Sequence, residues 1–162
     1  MNSFAPLFSP NEVLLDLDVK DKQALFVAVG RLWEEHRGLA ATEVVDSLTA
    51  REKLGSTGLG QGVAIPHARV AGLTKAVAAF VRPAVPIEFD SPDGNPVAYC
   101  FVMLAPARAT AQHLQILADV AKMLSNAHFR DQIGTAQSQA DIHRLFDLSS
   151  GQIDAVRKKK SE

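Results

Sequence analysis

The sequence predicts an α/β fold, a single-domain sandwich in which helices cover a central mixed sheet. Three observations predict it. The chain has 162 residues, the size of one compact domain. Hydrophobic residues make up 47% of it and charged residues 22%, which suits a packed core beneath a solvated surface. Segments with helical spacing alternate with short apolar runs typical of strands, and this alternation favours helices packed on a sheet.

The N-terminal half is predicted to contain one strand and two helices, over 13–17, over 21–37 and from Thr42 onward. Asp18 is expected to cap the first helix, because an aspartate side chain accepts hydrogen bonds from the free amides of a helix N-terminus. Gly38 is expected to end that helix, since glycine readily adopts the left-handed conformation that follows a helix.

The C-terminal half is predicted to alternate strands and then helices. Strands are expected over 63–66, 75–81 and 96–104, and helices over 112–125, 127–133 and 138–146. The run 96–104 is apolar at almost every position, which indicates the central strand of the sheet. Cys100 lies within this run and is expected to be buried and unreactive. Prolines and glycine between 83 and 94 predict a loop.

The two ends of the chain are expected to lie outside the domain. Residues 1–10 contain two prolines and two serines, which predicts a flexible N-terminal arm. Residues 11–149 would form the domain. Residues 150–162 are polar and basic, and they are expected to form a solvated C-terminal tail.

Composition argues against several classes of protein. The formal net charge is -1, from 17 basic and 18 acidic residues, so nucleic-acid binding is not expected. No run approaches the ~18 apolar residues of a membrane span, so no membrane insertion is expected. The first ten residues carry no lysine or arginine before an apolar stretch, unlike a secretory signal, and a cytoplasmic location is expected.

A glycine-rich segment follows the second predicted helix. Residues 55–62 contain four glycines together with the hydroxyls of Ser56 and Thr57. Backbone amides, these hydroxyls and the nearby Arg51 predict a cradle for an oxyanion. The segment lacks the Gly-Lys-Ser/Thr ending of a nucleotide-binding loop, so nucleotide binding is not indicated.

His67 comes directly after Pro66 and is expected at the end of a strand, where functional side chains of α/β proteins often lie. Beside an oxyanion cradle, its imidazole could transfer a proton or accept a phosphoryl group. His113, at the start of a predicted helix, could fix which ring nitrogen of His67 is free, and a helix N-terminus favours phosphoryl oxygens. A surface histidine with a structural hydrogen bond is the alternative, and the residues alone do not decide among these roles.

The segment 51–69 resembles the active-site motif of the IIA components of the phosphoenolpyruvate-dependent phosphotransferase system (PTS), of the fructose–mannitol–nitrogen type. That motif runs Arg-Glu, then Ser-Thr-Gly-hydrophobic-Gly, then hydrophobic-Ala-hydrophobic-Pro-His, and each part is present here. The family's second block, a helix that opens with His-Leu, is matched by His113 and Leu114. The segments 86–90 and 93–97 are most similar to the nitrogen-regulatory branch, and the resemblance covers nearly the whole chain.

The resemblance implies a role for each matching residue. His67 would accept the phosphoryl group through a ring nitrogen, with Nε2 (the tele position) as the candidate, and His113 would help to position it. Arg51 would stabilise the phosphoryl oxygens. The loop on the phosphate side would be shaped by Ser56, Thr57 and Gly58. Ala68 departs from the glycine that is common after the active histidine, and Glu52 is expected to be solvated rather than to orient Arg51.

The function implied by the resemblance is that of a regulatory phosphoryl carrier. An HPr-like phosphocarrier would donate the phosphoryl group, and the phosphorylation state would control target proteins. Such a protein is a PTS component with a phosphohistidine intermediate rather than a stand-alone enzyme, and the family requires no metal and no cofactor.

Three alternatives stay open. The chain could be a sugar-specific IIA that passes the group to a IIB partner, or an interaction module whose His67 is never modified. A metal-dependent hydrolase that uses His67 and His113 is the third, although no carboxylate lies at metal-ligand spacing beside either histidine.

Overall fold

The computed structural model describes residues 7–108 and 110–161, and within them a six-stranded sheet is flanked by helices. The strands are β1 Val13–Leu17, β2 Gly58–Gly60, β3 Val63–Ala64, β4 His67–Val70, β5 Val77–Pro83 and β6 Tyr99–Pro106. The helices are α1 Lys22–Arg37, α2 Ala41–Lys53, α3 Ala111–Leu124, α4 Ala127–Thr135 and α5 Gln139–Ser161, with a 3-10 turn at Pro10–Glu12.

The sheet is mixed, and β6 is its central strand, as the sequence predicts. The strand order is β1-β5-β6-β3-β2, and β4 also pairs with β6. β5 runs antiparallel to β6, whereas β3 and β4 run parallel to it. β3 and β4 pair with successive parts of β6, and the strand is interrupted between them at Ile65 and Pro66. This break places His67 against the middle of the sheet, opposite Met103.

Alternate side chains of β5 and β6 enter two apolar clusters, which therefore lie on opposite faces of the sheet. One cluster contains Phe101 and the aromatic side chain of Phe146 from α5, together with residues of α3 and α4. The other contains Val102 and the fully buried Trp33 of α1, together with residues of α2. Each large side chain buried in this way contributes about 2 kcal/mol to stability. The predicted α/β sandwich is confirmed.

The caps of α1 explain its bounds. Asp21, and not Asp18, is the N-cap, because the Oδ1 atom of Asp21 accepts a hydrogen bond of 2.8 Å from the amide of Ala24. The prediction of Asp18 as the cap is therefore wrong by three residues. Gly38 ends the helix as predicted, with a φ of 70° in the left-handed region.

The N-terminal end of the described chain packs against the domain. Leu7 and Phe8 are buried in the core, and the carbonyl of Phe8 accepts a hydrogen bond of 2.8 Å from the Nε2 atom of His143. These two residues thus differ from the expected flexible arm, whose residues 1–6 lie outside the described part.

The C-terminal helix is longer than the sequence predicts. α5 continues past Phe146 to Ser161, so the domain boundary expected at 149 falls inside a helix. Arg157 of this extension forms an ion pair of 2.7 Å with Asp119 of α3. In the part of the chain that the structure describes, no helix is both long and apolar enough to cross a membrane.

Candidate functional site

Arg51, His67 and His113 line one open cleft of about 680 Å³. Arg51 belongs to the last turn of α2, and His113 belongs to the first turn of α3. His67 is the first residue of β4, so the expectation that it ends a strand is wrong. The reason is that the strand expected over 63–66 stops at Ala64, and the chain pairs with β6 again after Pro66.

The imidazole of His67 is held by a backbone carbonyl. Its Nδ1 atom lies 2.8 Å from the carbonyl oxygen of Ile65. A carbonyl oxygen can only accept a hydrogen bond, so Nδ1 carries the hydrogen. In the neutral ring, Nε2 then keeps its lone pair and is the nucleophilic atom.

His113 is held in the opposite sense by the start of its own helix. The backbone N–H of Thr110 donates a hydrogen bond of 3.0 Å to the Nδ1 atom of His113. Because Nδ1 is the acceptor here, the hydrogen of the neutral ring lies on Nε2. The side chain is half-buried and offers an N–H donor to a group in the cleft.

Arg51 gives the cleft a positive charge. Its Nη1 atom donates a hydrogen bond of 3.0 Å to the carbonyl of Gly55, which holds the guanidinium beside the loop. Among the described residues, no carboxylate forms an ion pair with Arg51, and no carboxylate lines the cleft. A second arginine, Arg69, also lines the cleft. The cleft is therefore suited to an anion.

The residues expected to shape a phosphate loop do not line this cleft. The hydroxyl of Ser56 donates to the carbonyl of Phe89 and accepts a hydrogen bond of 3.0 Å from the amide of Gly58. A Cβ atom on Gly58 would collide with the hydroxyl of Ser91. The described residues that line the cleft do not include Ser56, Thr57 or Gly58. The hydrogen bond from Ser56 attaches the glycine-rich segment to the loop that contains Phe89.

Glu52 differs most from its expectation. Its side chain is only 8% exposed, although the sequence predicts a solvated carboxylate. It accepts a hydrogen bond of 2.7 Å from the hydroxyl of Thr57 and pairs with Lys22 at 3.0 Å. The spacing of five residues between Glu52 and Thr57, across the end of a helix, is the sequence signal that could have indicated this contact.

The described residues contain no group of three or more metal-ligating side chains close enough together to hold an ion. Cys100 is fully buried on β6, as predicted, and burial raises the pKa of its thiol, with a further contribution from the charge of Glu52. A thiol in this state is a poor nucleophile, and Cys100 is not among the described residues that line the cleft.

Comparison with known proteins agrees with the resemblance of the motif. Residues 6–148 match the family model described as phosphoenolpyruvate-dependent sugar phosphotransferase system, EIIA 2. The chain is 41% identical to a nitrogen regulatory protein of Pseudomonas aeruginosa over 113 residues, and these residues cover 69% of this chain and 73% of that protein.

A solved structure and a sugar-specific relative are also similar. The nitrogen regulatory protein IIA-Ntr of Neisseria meningitidis has a TM-score of 0.81 to this structure at 42% identity, over 85% of this chain and 94% of that chain. A fructose-specific EIIA component of Haloferax volcanii is 36% identical over 102 residues, which cover 63% of this chain and 66% of that protein.

Proposed function

The chain belongs to the EIIA type 2 family of the phosphoenolpyruvate-dependent sugar phosphotransferase system, and from that premise we propose that it is a regulatory phosphoryl carrier. His67 accepts the phosphoryl group from an HPr-like phosphocarrier protein, and the phosphorylation state of His67 controls the binding of target proteins. The observation that carries this proposal is the hydrogen bond from Nδ1 of His67 to the carbonyl of Ile65, which leaves a nucleophilic Nε2 in a cleft that suits an anion.

The transfer step follows from these positions. The lone pair of Nε2 attacks the phosphorus atom of the phosphorylated donor, in line with the bond between phosphorus and the donor nitrogen. As that bond breaks, the donor nitrogen keeps its electron pair. The product is an imidazole that carries a phosphoryl group on Nε2 and a hydrogen on Nδ1. Its ring gains positive charge, so the hydrogen bond to Ile65 becomes charge-assisted and stronger.

Charge on the moving phosphoryl group is stabilised by two side chains. Arg51 supplies a guanidinium that no described carboxylate neutralises, and His113 supplies the N–H of its Nε2 atom. Preorganised donors of this kind lower the barrier, because they need not reorient as the charge moves. The apolar side chains of Leu54 and Leu114, which are 85% and 62% exposed, stand beside the cleft and provide contact area for a partner protein.

The nitrogen-regulatory branch is the favoured subclass. Relatives named as nitrogen regulatory proteins share 41% and 42% identity with this chain, and the fructose-specific relative shares 36% over a shorter stretch. A cytoplasmic location follows from a PTS phosphocarrier as donor. The likeness to the fructose-specific relative supports a second candidate function, a sugar-specific IIA that passes the group to a IIB partner.

The first test is intact-mass analysis after incubation with phosphoenolpyruvate, enzyme I and an HPr-like carrier. Wild type should gain one phosphoryl group and His67→Ala should gain none. His128→Ala, which removes an exposed histidine of α4, is the matched control and should behave as wild type. A wild-type protein that gains no mass with any carrier would overturn the proposal and favour an interaction module.

A second experiment separates the two candidate functions. The phosphorylated protein is mixed with IIB domains of the fructose and mannitol types, and its mass is followed with time. A phosphoryl group that stays on His67 supports the regulator. Rapid and stoichiometric loss to a IIB domain supports the sugar-specific component.

A further inference from the structure

Hydrogen bonds through Thr57 and Ile65 link the buried carboxylate of Glu52 to the imidazole of His67. The amide and the hydroxyl of Thr57 both donate to Glu52, at 3.1 and 2.7 Å. The carbonyl of Thr57 accepts a hydrogen bond of 3.1 Å from the amide of Ile65. The carbonyl of Ile65 in turn accepts the hydrogen of Nδ1 of His67, at 2.8 Å. We call Glu52, Thr57 and Ile65 the positioning chain.

The positioning chain begins at an ionised group. Lys22 lies 3.0 Å from Glu52 and also sits over the ring of Phe89, 5.0 Å from its centroid. Three donor groups thus converge on Glu52, namely the ammonium of Lys22 and the amide and hydroxyl of Thr57. A carboxylate can accept all three, whereas a carboxamide of the same shape would direct its own N–H groups at some of them.

Thr57 has little freedom to move in the folded protein. It is only 5% exposed, and its amide, hydroxyl and carbonyl are all committed to the positioning chain. The amide of Ile65, the residue whose carbonyl holds His67, is therefore anchored by a contact that originates on α2. The direction of that carbonyl decides which nitrogen of His67 carries the hydrogen.

We propose that Glu52 is a positioning residue for phosphoryl transfer, and that it sets the tautomer and the orientation of His67 through Thr57 and Ile65. This inference rests on the proposed role of His67. The hydrogen bond from His67 to the carbonyl of Ile65 strengthens as the imidazole ring gains charge. A displaced carbonyl therefore destabilises the transition state more than the ground state. Loss of Glu52 therefore lowers the rate of transfer even though Glu52 does not touch the phosphoryl group.

The test compares three variants by two measurements. Glu52→Gln removes the charge of the positioning chain, and Thr57→Val removes its hydroxyl without a large change in shape. Thr49→Val is the matched control, because Thr49 lies on the same helix as Glu52 and, among the described residues, its hydroxyl donates only to Gln23, at 3.3 Å. The measurements are the ¹⁵N chemical shifts of the His67 ring, which report the tautomer, and the rate of transfer from a phosphorylated HPr-like carrier.

In wild type and Thr49→Val, Nδ1 of His67 should be protonated and Nε2 should not. In Glu52→Gln and Thr57→Val, the ring nitrogens should shift toward a mixture of tautomers, and transfer should be slower by about tenfold. Wild-type shifts and wild-type rates in both folded variants would overturn the inference, and Thr57→Val decides alone if Glu52→Gln does not fold. If the variants shift the tautomer of His67 but wild type accepts no phosphoryl group, the proposed function is overturned. The positioning of His67 by Glu52 would still stand.

Discussion

His67 and His113 use their Nδ1 atoms in opposite senses. The Nδ1 atom of His67 donates to the carbonyl of Ile65, whereas the Nδ1 atom of His113 accepts from the amide of Thr110. The neutral rings are consequently opposite tautomers, one with a lone pair on Nε2 and one with a hydrogen there. Since both residues line the same cleft, a nucleophile and a hydrogen-bond donor are available to one phosphoryl group.

The phosphoryl group is expected on Nε2 of His67. Nδ1 is committed to Ile65 and carries the hydrogen, so it has no lone pair for attack. ³¹P and ¹⁵N NMR spectra of the phosphorylated protein distinguish the two isomers. A phosphoryl group on Nδ1 would mean that the contact with Ile65 breaks before transfer, and would contradict the assigned tautomer.

Replacement of His113 should slow transfer without preventing it, because a donor is lost and not the acceptor atom. His113→Ala is expected to lower the single-turnover rate by about 100-fold. His113→Gln keeps an N–H group at similar reach and should lose less. The rate from a phosphorylated HPr-like carrier is the measurement, with the mass after long incubation as the end point. A wild-type rate in His113→Ala would show that its N–H does not act on the phosphoryl group.

Replacement of Arg51 tests the role of charge in the cleft. Arg51→Ala should slow transfer by about 100-fold, and Arg51→Lys should be intermediate, since lysine keeps the charge but loses the planar fork of donors. Arg31→Ala, which removes an exposed arginine of α1, is the control for a simple change in net charge. Equal rates for Arg51→Ala and Arg31→Ala would rule out a specific contact between Arg51 and the phosphoryl group.

The long elements of the fold were predictable, whereas of the short strands only β3 was. β1, β5, β6 and all five helices have apolar patterns of their own, so their local sequence indicates them. β2 has only three residues, of which Gly58 and Gly60 are glycines, and β4 has only four. Such short strands exist because neighbouring strands and loops hold them: the carboxylate of Asp93, for example, accepts a hydrogen bond of 2.7 Å from Gln61 at the turn after β2.

The candidate site was predictable to the same degree. The motif indicated Arg51, His67 and His113, and the structure brings all three to one cleft, although their chemical roles stay a prediction. The spacing of Glu52 and Thr57 could have indicated their contact, but the ion pair of Glu52 with Lys22 could not be inferred, because Lys22 is 30 residues away in the sequence. Contacts at that distance depend on how α1 packs against α2, and no local pattern encodes that packing.

The last prediction concerns the pH dependence of stability and follows from Cys100. Burial, with a contribution from the charge of Glu52, raises the pKa of this thiol, so it stays protonated in the folded protein at alkaline pH. In the unfolded chain the thiol ionises near its usual pKa of about 8.5. Above that pH the unfolded state binds fewer protons than the folded state, so Cys100 makes the free energy of unfolding fall, by up to about 1.4 kcal/mol per pH unit.

Urea unfolding of wild type and Cys100→Ala at about pH 7 and about pH 10 measures this contribution, because other groups titrate almost equally in both proteins. Cys100→Ala should be less stable near pH 7, since it leaves a small cavity in β6. Its deficit should shrink at the higher pH, where only wild type loses stability through the thiol. A deficit that is the same at both values would show that the thiol ionises as readily in the folded protein as in the unfolded chain, and would contradict its burial.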